Sequence, residues 1–409
     1  MKMKVDFWLK FSVVNLFLVA LIGTFLRLKV LTEFPLQQKH LLHSHSHFAF
    51  AGWVSHTLMV LMVYYLKNKY ETLPLTRYIK LIIANLVCSY GMLIFFIYQG
   101  YAAVSITFST LSILVSYVFA YYFYKDSKHL ISEAALKWFQ GGLFFYVLSS
   151  LGTFFLAYSM TAPKINFDVY FSSIYFYLHF QYNGWFLFAC IGLFISLFKI
   201  GTPLLKKFNQ MYYLLFFATL VTYGLSILWL DISEIIYWII AFFGLLQLLV
   251  WMQTQKLLVT NFKNEIKKQP KYLQFILMIV AGCLLLKFIL QFLLVFPSLA
   301  TTAFGLRPVV IAFLHLVLLG IISLFLLYFI FVRQLLPAGK NTRFALLFFV
   351  FAVFFNELIL TLQGLSGYLK FSLSNVNELL LLAALLLLSS AGLLSFLVLK
   401  KKQKLVKQH

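Results

Sequence analysis

The chain has 409 residues, of which 63% are hydrophobic and 11% are charged, and its mean hydropathy is +0.93. Soluble domains use apolar residues for about half of their sequence, so this composition excludes an ordinary soluble domain. The formal charge of +22 would suggest a nucleic-acid partner in a soluble protein, but in a membrane protein it indicates basic cytoplasmic loops and contact with anionic lipid. We therefore expect a lipid bilayer, and no nucleic acid, around this chain.

Apolar runs long enough to cross a bilayer recur along the whole sequence. A transmembrane helix needs about twenty apolar residues, and by this rule the sequence predicts roughly twelve spans. They are expected at residues 8–26, 45–66, 78–99, 102–124, 137–159, 170–198, 210–230, 235–255, 272–296, 306–332, 343–364 and 377–399. The first is expected to be a retained helix, because no clear signal-peptide cleavage site follows it. The predicted fold class is all-α: a polytopic membrane protein with about twelve transmembrane helices in one bundle, forming a single transmembrane domain over residues 1–409.

Lysine and arginine alternate between the predicted loops. They are frequent before the first span, in every second loop, and in a short basic tail at residues 400–409, whereas the other loops hold few. Because basic loops remain in the cytoplasm, both termini are predicted to be cytoplasmic. The second, sixth and tenth helices then run from the outer face inward. Location in the inner membrane of a bacterium is a further expectation from span type and lysine content.

Histidines mark the candidate site. Residues 39–61 contain five of the nine histidines, in a stretch that begins polar and becomes an apolar helix: His40, His43, His45, His47 and His56. His179 and His315 lie within the sixth and tenth spans, each about nine residues or roughly 13 Å from the outer end. Imidazole is costly in a bilayer unless it is paired or ligating, so intramembrane histidines are candidate site residues.

Helix geometry predicts which clustered histidines can face one pocket. Residues two apart point about 200° apart, so His45 and His47 cannot share a pocket on a regular helix. His43 and His47 are four apart and share a face, as they would for zinc or copper. Another interpretation places His40 and His43 in the outer loop. His56 is nine residues after His47 and therefore serves the opposite face.

Other polar residues also fall within spans. Lys287 and Gln291 are one turn apart in the ninth span and share a helix face. Glu357 lies in the eleventh span. For Lys287 and Glu357, an interhelical pair or snorkelling and a proton or substrate path are equally good interpretations.

Twelve spans with histidines on the second, sixth and tenth resemble the haem–copper oxidase subunit I superfamily. That superfamily includes oxygen reductases, nitric oxide reductases and shorter nitric-oxide-response membrane proteins, and a C-family oxidase-like layout is equally consistent with this pattern. The resemblance rests on LLHSHSHFAFAGW, YLHFQYNGWF and FLH in the three spans. It implies one low-spin haem b, ligated by His315 and by one of His43, His45 and His47. It also implies copper as a metal at His179.

The chain departs from the family pattern at the oxygen-reducing centre. The family's seventh helix carries a His-His pair for copper, whereas this chain has no histidine between Phe180 and Leu314. Phe313 occupies the position of the high-spin haem ligand. The resemblance therefore implies no full binuclear centre and no conventional oxygen reductase; an enzyme of this type would be another haem/copper oxidoreductase. It implies electron transfer or a nitric oxide or respiratory function, with an electron-donor cytochrome or another respiratory subunit as partner.

Two other classes of function are consistent with the same residues. A metal-ion or small-solute transporter would capture a cation at the outer histidine cluster. Its path would be lined by His56 and His179, as metal ligands, and by Glu357 and Lys287. The Gly or Pro breaks expected at transporter sites are not evident, however. A structural subunit would use its histidines only for packing. A visible haem spectrum separates the haem-protein hypothesis from both.

Overall fold

The computed structural model describes residues 4–130, 133–161, 164–371 and 373–400, except for the side chains of residues 129 and 302. All regular secondary structure in these ranges is helical. The basic tail predicted at residues 400–409 lies outside the described residues from residue 401 onward.

Within the described ranges, twelve helices are long and apolar enough to cross a membrane. In chain order they are α1 (Val5–Leu31), α2 (Gln38–Lys69), α3 (Leu75–Gln99), α4 (Ala103–Ser127), α5 (Ala134–Thr161), α6 (Phe167–Ile195), α7 (Thr202–Ile227), α8 (Glu234–Lys267), α9 (Lys271–Leu293), α10 (Arg307–Val332), α11 (Lys340–Leu369) and α12 (Val376–Lys400). The all-α class, the number of spans and the membrane-embedded character are thereby confirmed. The single bundle and the cytoplasmic termini stay predictions.

The chain forms two compact units, each assembled from separate segments. The first comprises Met1–Phe119, Lys271–Leu277 and Ser323–His409, and the second comprises Ala120–Pro270 and Met278–Ile322. In the first unit α1 and α11 both pack against α12, and α2 packs against α3. In the second, α5 packs against α6 and α7 packs against α8. The prediction of one transmembrane domain over residues 1–409 stays a prediction.

Three membrane helices in the described ranges contain π-helical segments. α2, α6 and α10 contain π-helical segments at Ala49–Ser55, Phe180–Phe186 and Leu316–Ser323. A π-helical turn closes i→i+5 hydrogen bonds and accommodates one extra residue, and such turns within α-helices are frequent at functional sites. α2 and α6 are also the most buried spans, with 89% of their apolar windows buried, against at most 50% elsewhere.

Candidate functional site

The clustered histidines of α2 occupy two faces of the helix. The rings of His43 and His47 lie beside Tyr101, at centroid distances of 4.5 and 5.9 Å. His45 points instead to α1, where its Nδ1 is 3.0 Å from the carbonyl oxygen of Val19. The prediction that His43 and His47 share a face that His45 does not is therefore confirmed.

His43 and His47 form an aromatic face with α3 and the turn after it. The His47 ring stacks on Phe96 at 4.5 Å, and its Nε2 is 2.9 Å from the Tyr101 hydroxyl oxygen. Ser44 lies one residue after His43, and its hydroxyl donates to the carbonyl of Leu93 at 2.7 Å, which ties α2 to α3. The Nε2 atom of His43 is buried and has no hydrogen-bond partner among the described residues. This nitrogen is therefore a polar atom that a ligand would satisfy.

His40 and His43 lie within α2, which begins at Gln38, so the interpretation that places them in an outer loop is wrong. The reason is local packing. The Nδ1 atom of His40 is 3.3 Å from the carbonyl oxygen of Ile97 on α3. Gly100 has a φ of +63°, and a Cβ there would lie 2.5 Å from His40 Nε2. Only glycine readily adopts this left-handed conformation and leaves room for the ring.

His45 and His315 share one hydrogen-bonding pattern. Each donates its Nδ1–H to a backbone carbonyl: His45 to Val19 at 3.0 Å, and His315 to Ile311 at 2.8 Å. A carbonyl can only accept, so Nδ1 carries the proton and the lone pair of the neutral ring is on Nε2. Histidines that ligate metals commonly donate their other ring N–H in this way, which fixes the tautomer and the ring orientation. In the neutral form of either ring, Nε2 is thus the nitrogen whose lone pair an axial ligand would use.

His179 is arranged differently, because protein atoms contact both of its ring nitrogens. Nε2–H donates to the carbonyl of Thr219 at 2.8 Å, and Nδ1 accepts from the Asn183 amide at 3.0 Å. A copper ion would have to displace one of these hydrogen bonds. His56 has Nε2 at 3.4 Å from the Trp8 carbonyl and a buried Nδ1 with no hydrogen-bond partner.

The described residues contain no group of three or more His, Cys, Asp or Glu side chains that could hold a metal ion. The described side chains therefore do not fit a copper site of three such ligands. Metal binding at His56 and His179 stays a prediction.

A repeated spacing links the three π-helical segments and was missed by the sequence analysis. In each of the three spans, a histidine is followed five residues later by a glycine: His47 and Gly52, His179 and Gly184, His315 and Gly320. All three glycines lie inside the π-helical segments. Comparing the residues that follow each histidine would have revealed this H-x4-G motif. The motif aligns His47, and neither His43 nor His45, with the histidines of α6 and α10.

Two buried asparagines stabilise the π-helical segment of α2. The side-chain amide of Asn15 on α1 donates to the Gly52 carbonyl at 2.6 Å, and that of Asn85 on α3 donates to the Ala51 carbonyl at 3.1 Å. The Tyr90 hydroxyl donates to Asn15 Oδ1 at 2.7 Å, which orients this amide. Backbone groups in a bilayer need partners inside the protein, and a π-helical turn shifts its carbonyls out of the regular ladder. The asparagines supply these partners.

The intramembrane charges occupy unlike environments. Glu357 accepts a hydrogen bond from the Asn356 side chain at 3.2 Å. Lys287 is 1% exposed, and its Nζ has no hydrogen-bond partner among the described residues. The interhelical-pair interpretation of Lys287 is therefore wrong.

No protein-family model matches this sequence, and the search of curated proteins finds no matching relative.

Proposed function

We propose that this chain is a haem-binding integral membrane protein that carries electrons, with one axial ligand from the histidines of α2 and the second at His315. The observation that carries the proposal is the repeat of a histidine that precedes a π-helical segment, on α2, α6 and α10. π-Helical turns interrupt the regular α-helical hydrogen bonds and are frequent at functional sites. Histidines within a membrane span are candidate functional residues, because an unpaired imidazole is unfavourable there.

The chemistry of the ring nitrogens supports haem as the cofactor. Neutral imidazole is a common axial ligand of haem iron. The Nδ1–H of His45 and of His315 is held by a carbonyl, so the neutral form of either ring has its lone pair on Nε2. Bound haem b would supply reversible one-electron chemistry at iron. The residues of the chain would hold the rings in the orientation that ligation requires.

Three histidines of α2 remain candidates, and each has a different observation in its favour. His45 has the oriented Nδ1–H. His43 has a buried Nε2 that lacks a hydrogen-bond partner. His47 carries the H-x4-G spacing that α6 and α10 repeat. Substituting each residue separately distinguishes them.

Two axial histidines would leave the iron without an open position. Such a haem transfers electrons or senses redox state and does not bind gas. The partner proposed on this basis is an electron-donor cytochrome or another respiratory subunit, in a bacterial inner membrane with both chain termini cytoplasmic. Nitric oxide handling or another respiratory function would draw on electrons that this partner supplies.

The test is a reduced-minus-oxidised visible spectrum of the detergent-purified protein, with metal analysis of the same sample. We expect a sharp low-spin b-type band and about one iron per chain. His315→Ala and one of His43→Ala, His45→Ala and His47→Ala should abolish the band. His40→Ala is the matched control, because His40 lies on the same helix and its Nδ1 lies near the Ile97 carbonyl. Full haem content in the His315 variant would contradict the proposal.

A metal-ion transporter is the second candidate, favoured by the buried and unpartnered nitrogens of His43 and His56. Such atoms would bind a divalent cation that enters the helix cluster. Stabilisation of the haem-free protein by zinc or copper, lost in a His43→Ala variant, would support it. An iron-containing protein with no such metal response would contradict it.

A further inference from the structure

We infer that Lys287 and Trp251 form a binding site for a small monovalent anion between α8 and α9, within the second unit. Both side chains are buried, with exposed fractions of 1% and 4%, and both have a nitrogen without a hydrogen-bond partner among the described residues: Lys287 Nζ and Trp251 Nε1. Each of these nitrogens can donate hydrogen bonds. Two buried donors without an acceptor are costly in a bilayer, so their coincidence points to an acceptor that binds them.

The two donors lie at the same level of the helix pair. α8 and α9 are antiparallel, because Gln247 of α8 accepts from Gln291 of α9 at 3.1 Å, while Gln255 donates to Ala281 at 2.9 Å. Trp251 is one turn after Gln247, and Lys287 is one turn before Gln291. On both helices this turn leads toward the loop that connects α8 to α9. The Trp251 indole and the Lys287 ammonium therefore lie on the same side of the Gln247–Gln291 pair, each one turn away from it.

A single aromatic ring connects the two donors. The Nζ atom of Lys287 is 3.8 Å from the centroid of the Phe288 ring, and the Trp251 ring lies 5.5 Å from that same ring, tilted by 32°. Attraction between a cation and an aromatic face stabilises the ammonium form of lysine but supplies no counter-charge. The site therefore places the Lys287 amine, whose cationic form the ring favours, above an apolar floor without an acceptor.

The two helices that carry the site supply no carboxylate at this level. α9 contains no Asp or Glu, and the acidic residues of α8 are Glu234 and Glu265, near its two ends. A buried ammonium without a partner is strongly destabilising, whereas one paired with an anion and hydrogen-bonded is tolerated. A bound anion would accept from Nζ and from the indole N–H. Gln291 Oε1, which also lacks a donor, would accept from an accompanying water.

A chain of hydrogen bonds holds this site in place. The Gln247 amide donates to the Thr219 hydroxyl at 3.1 Å, and the Thr219 carbonyl accepts from His179 Nε2 at 2.8 Å. The glutamine pair is thus anchored to α7 and, through His179, to the π-helical region of α6. Anion binding should consequently stabilise the second unit as a whole.

The test measures the unfolding temperature of the detergent-purified, full-length protein while sodium nitrate replaces sodium gluconate at constant ionic strength. A ligand that binds only the folded state raises its stability by mass action, so the wild type should show a saturable increase. Lys287→Met keeps the length of the side chain and removes the charge, and it should lose the nitrate response. Lys256→Met is the control, because Lys256 lies on α8 and is exposed; it should respond as the wild type does.

Trp251→Phe provides a second variant that keeps an aromatic ring against Phe288 and removes only the indole donor. Loss of one hydrogen bond to a charged group should weaken nitrate binding at least about tenfold. An unchanged nitrate response in Lys287→Met, or no saturable response in the wild type, would overturn the proposal. If Lys287→Met fails to fold, an unchanged affinity in Trp251→Phe would overturn it instead.

Discussion

The same motif has different chemistry in α2 and in α6. Each helix is deeply buried, and each has a histidine five residues before a glycine in a π-helical segment. In α2, the motif histidine His47 has its Nε2 2.9 Å from the hydroxyl of Tyr101, whereas in α6 both ring nitrogens of His179 are hydrogen-bonded to protein atoms. The motif therefore specifies the shape of the backbone. The side chains and carbonyls of neighbouring helices determine whether its histidine can accept a ligand.

The segments are also stabilised in different ways. In α2 the π-helical carbonyls of Ala51 and Gly52 accept hydrogen bonds from asparagines on other helices. In α6 the asparagine, Asn183, belongs to the segment itself and its amide donates back to His179. The α6 histidine is thus part of a closed structural network, which is the arrangement expected for a packing role.

The largest expected difference between the regions concerns cofactor content. His179→Ala should keep the b-type band in the reduced-minus-oxidised spectrum, because this ring is engaged on both sides by protein atoms. It should lower the unfolding temperature, since two buried hydrogen bonds are lost. The ligating histidine of α2, by contrast, should lose the band when replaced. A folded His179→Ala protein without haem would show that the α6 motif also binds the cofactor.

The next effect concerns the glycines of the motif. A Cβ at Gly184 would lie 2.4 Å from Phe145 Cβ, whereas one at Gly320 would lie 3.3 Å from Cys283 Sγ. Gly184→Ala should therefore destabilise the protein by about 3 kcal/mol through overpacking, and Gly320→Ala by less than about 1 kcal/mol. Gly282→Ala is the control, since no atom lies within 4 Å of its added Cβ. Equal unfolding temperatures for the Gly184 and Gly320 variants would show that the close contact between Gly184 and Phe145 does not determine the loss of stability.

The smallest effect tests the asparagine support of α2. Asn15→Leu leaves the Gly52 carbonyl without its side-chain donor and should cost about 2 kcal/mol of folding free energy, which denaturation in detergent would detect. Asn261→Leu is the matched control, because that amide donates at 2.7 Å to the carbonyl of Leu257 at an exposed position of α8. If both variants have wild-type stability, water replaces Asn15 and the π-helical segment needs no support from α1.

Hydropathy located every membrane helix in the described chain but misplaced several ends. α2 begins at Gln38, seven residues before its predicted start, because buried Leu41 and Ser44 pack the polar histidine turns against the protein. α8 continues to Lys267, twelve residues beyond its predicted end. Hydropathy reports the part of a helix that suits lipid, whereas hydrogen bonds determine where the helix stops.

The site was predictable where it depends on one helix and unpredictable where it depends on several. An α-helix turns by about 100° per residue, and this rotation predicts which side of α2 carries His43, His45 and His47. The structure places the three side chains on the predicted sides. The partners of His45 and His179 could not be read from the sequence, because Val19 and Thr219 contribute backbone carbonyls that any residue type would provide. The unpartnered nitrogens of Lys287 and Trp251 are likewise products of packing between helices.

The π-helical segment of α2 has a consequence for how this helix can be re-engineered. One residue advances an α-helix by about 100°, so the extra residue within Ala49–Ser55 sets the rotation between the N-terminal and C-terminal halves of α2. Removing one residue there would restore a continuous α-helix and swing the His43–His47 half around the axis relative to the half that begins at His56. Inserting or deleting a residue in this segment would therefore change the direction in which the histidine side chains point. The length of the helix across the membrane would stay almost constant.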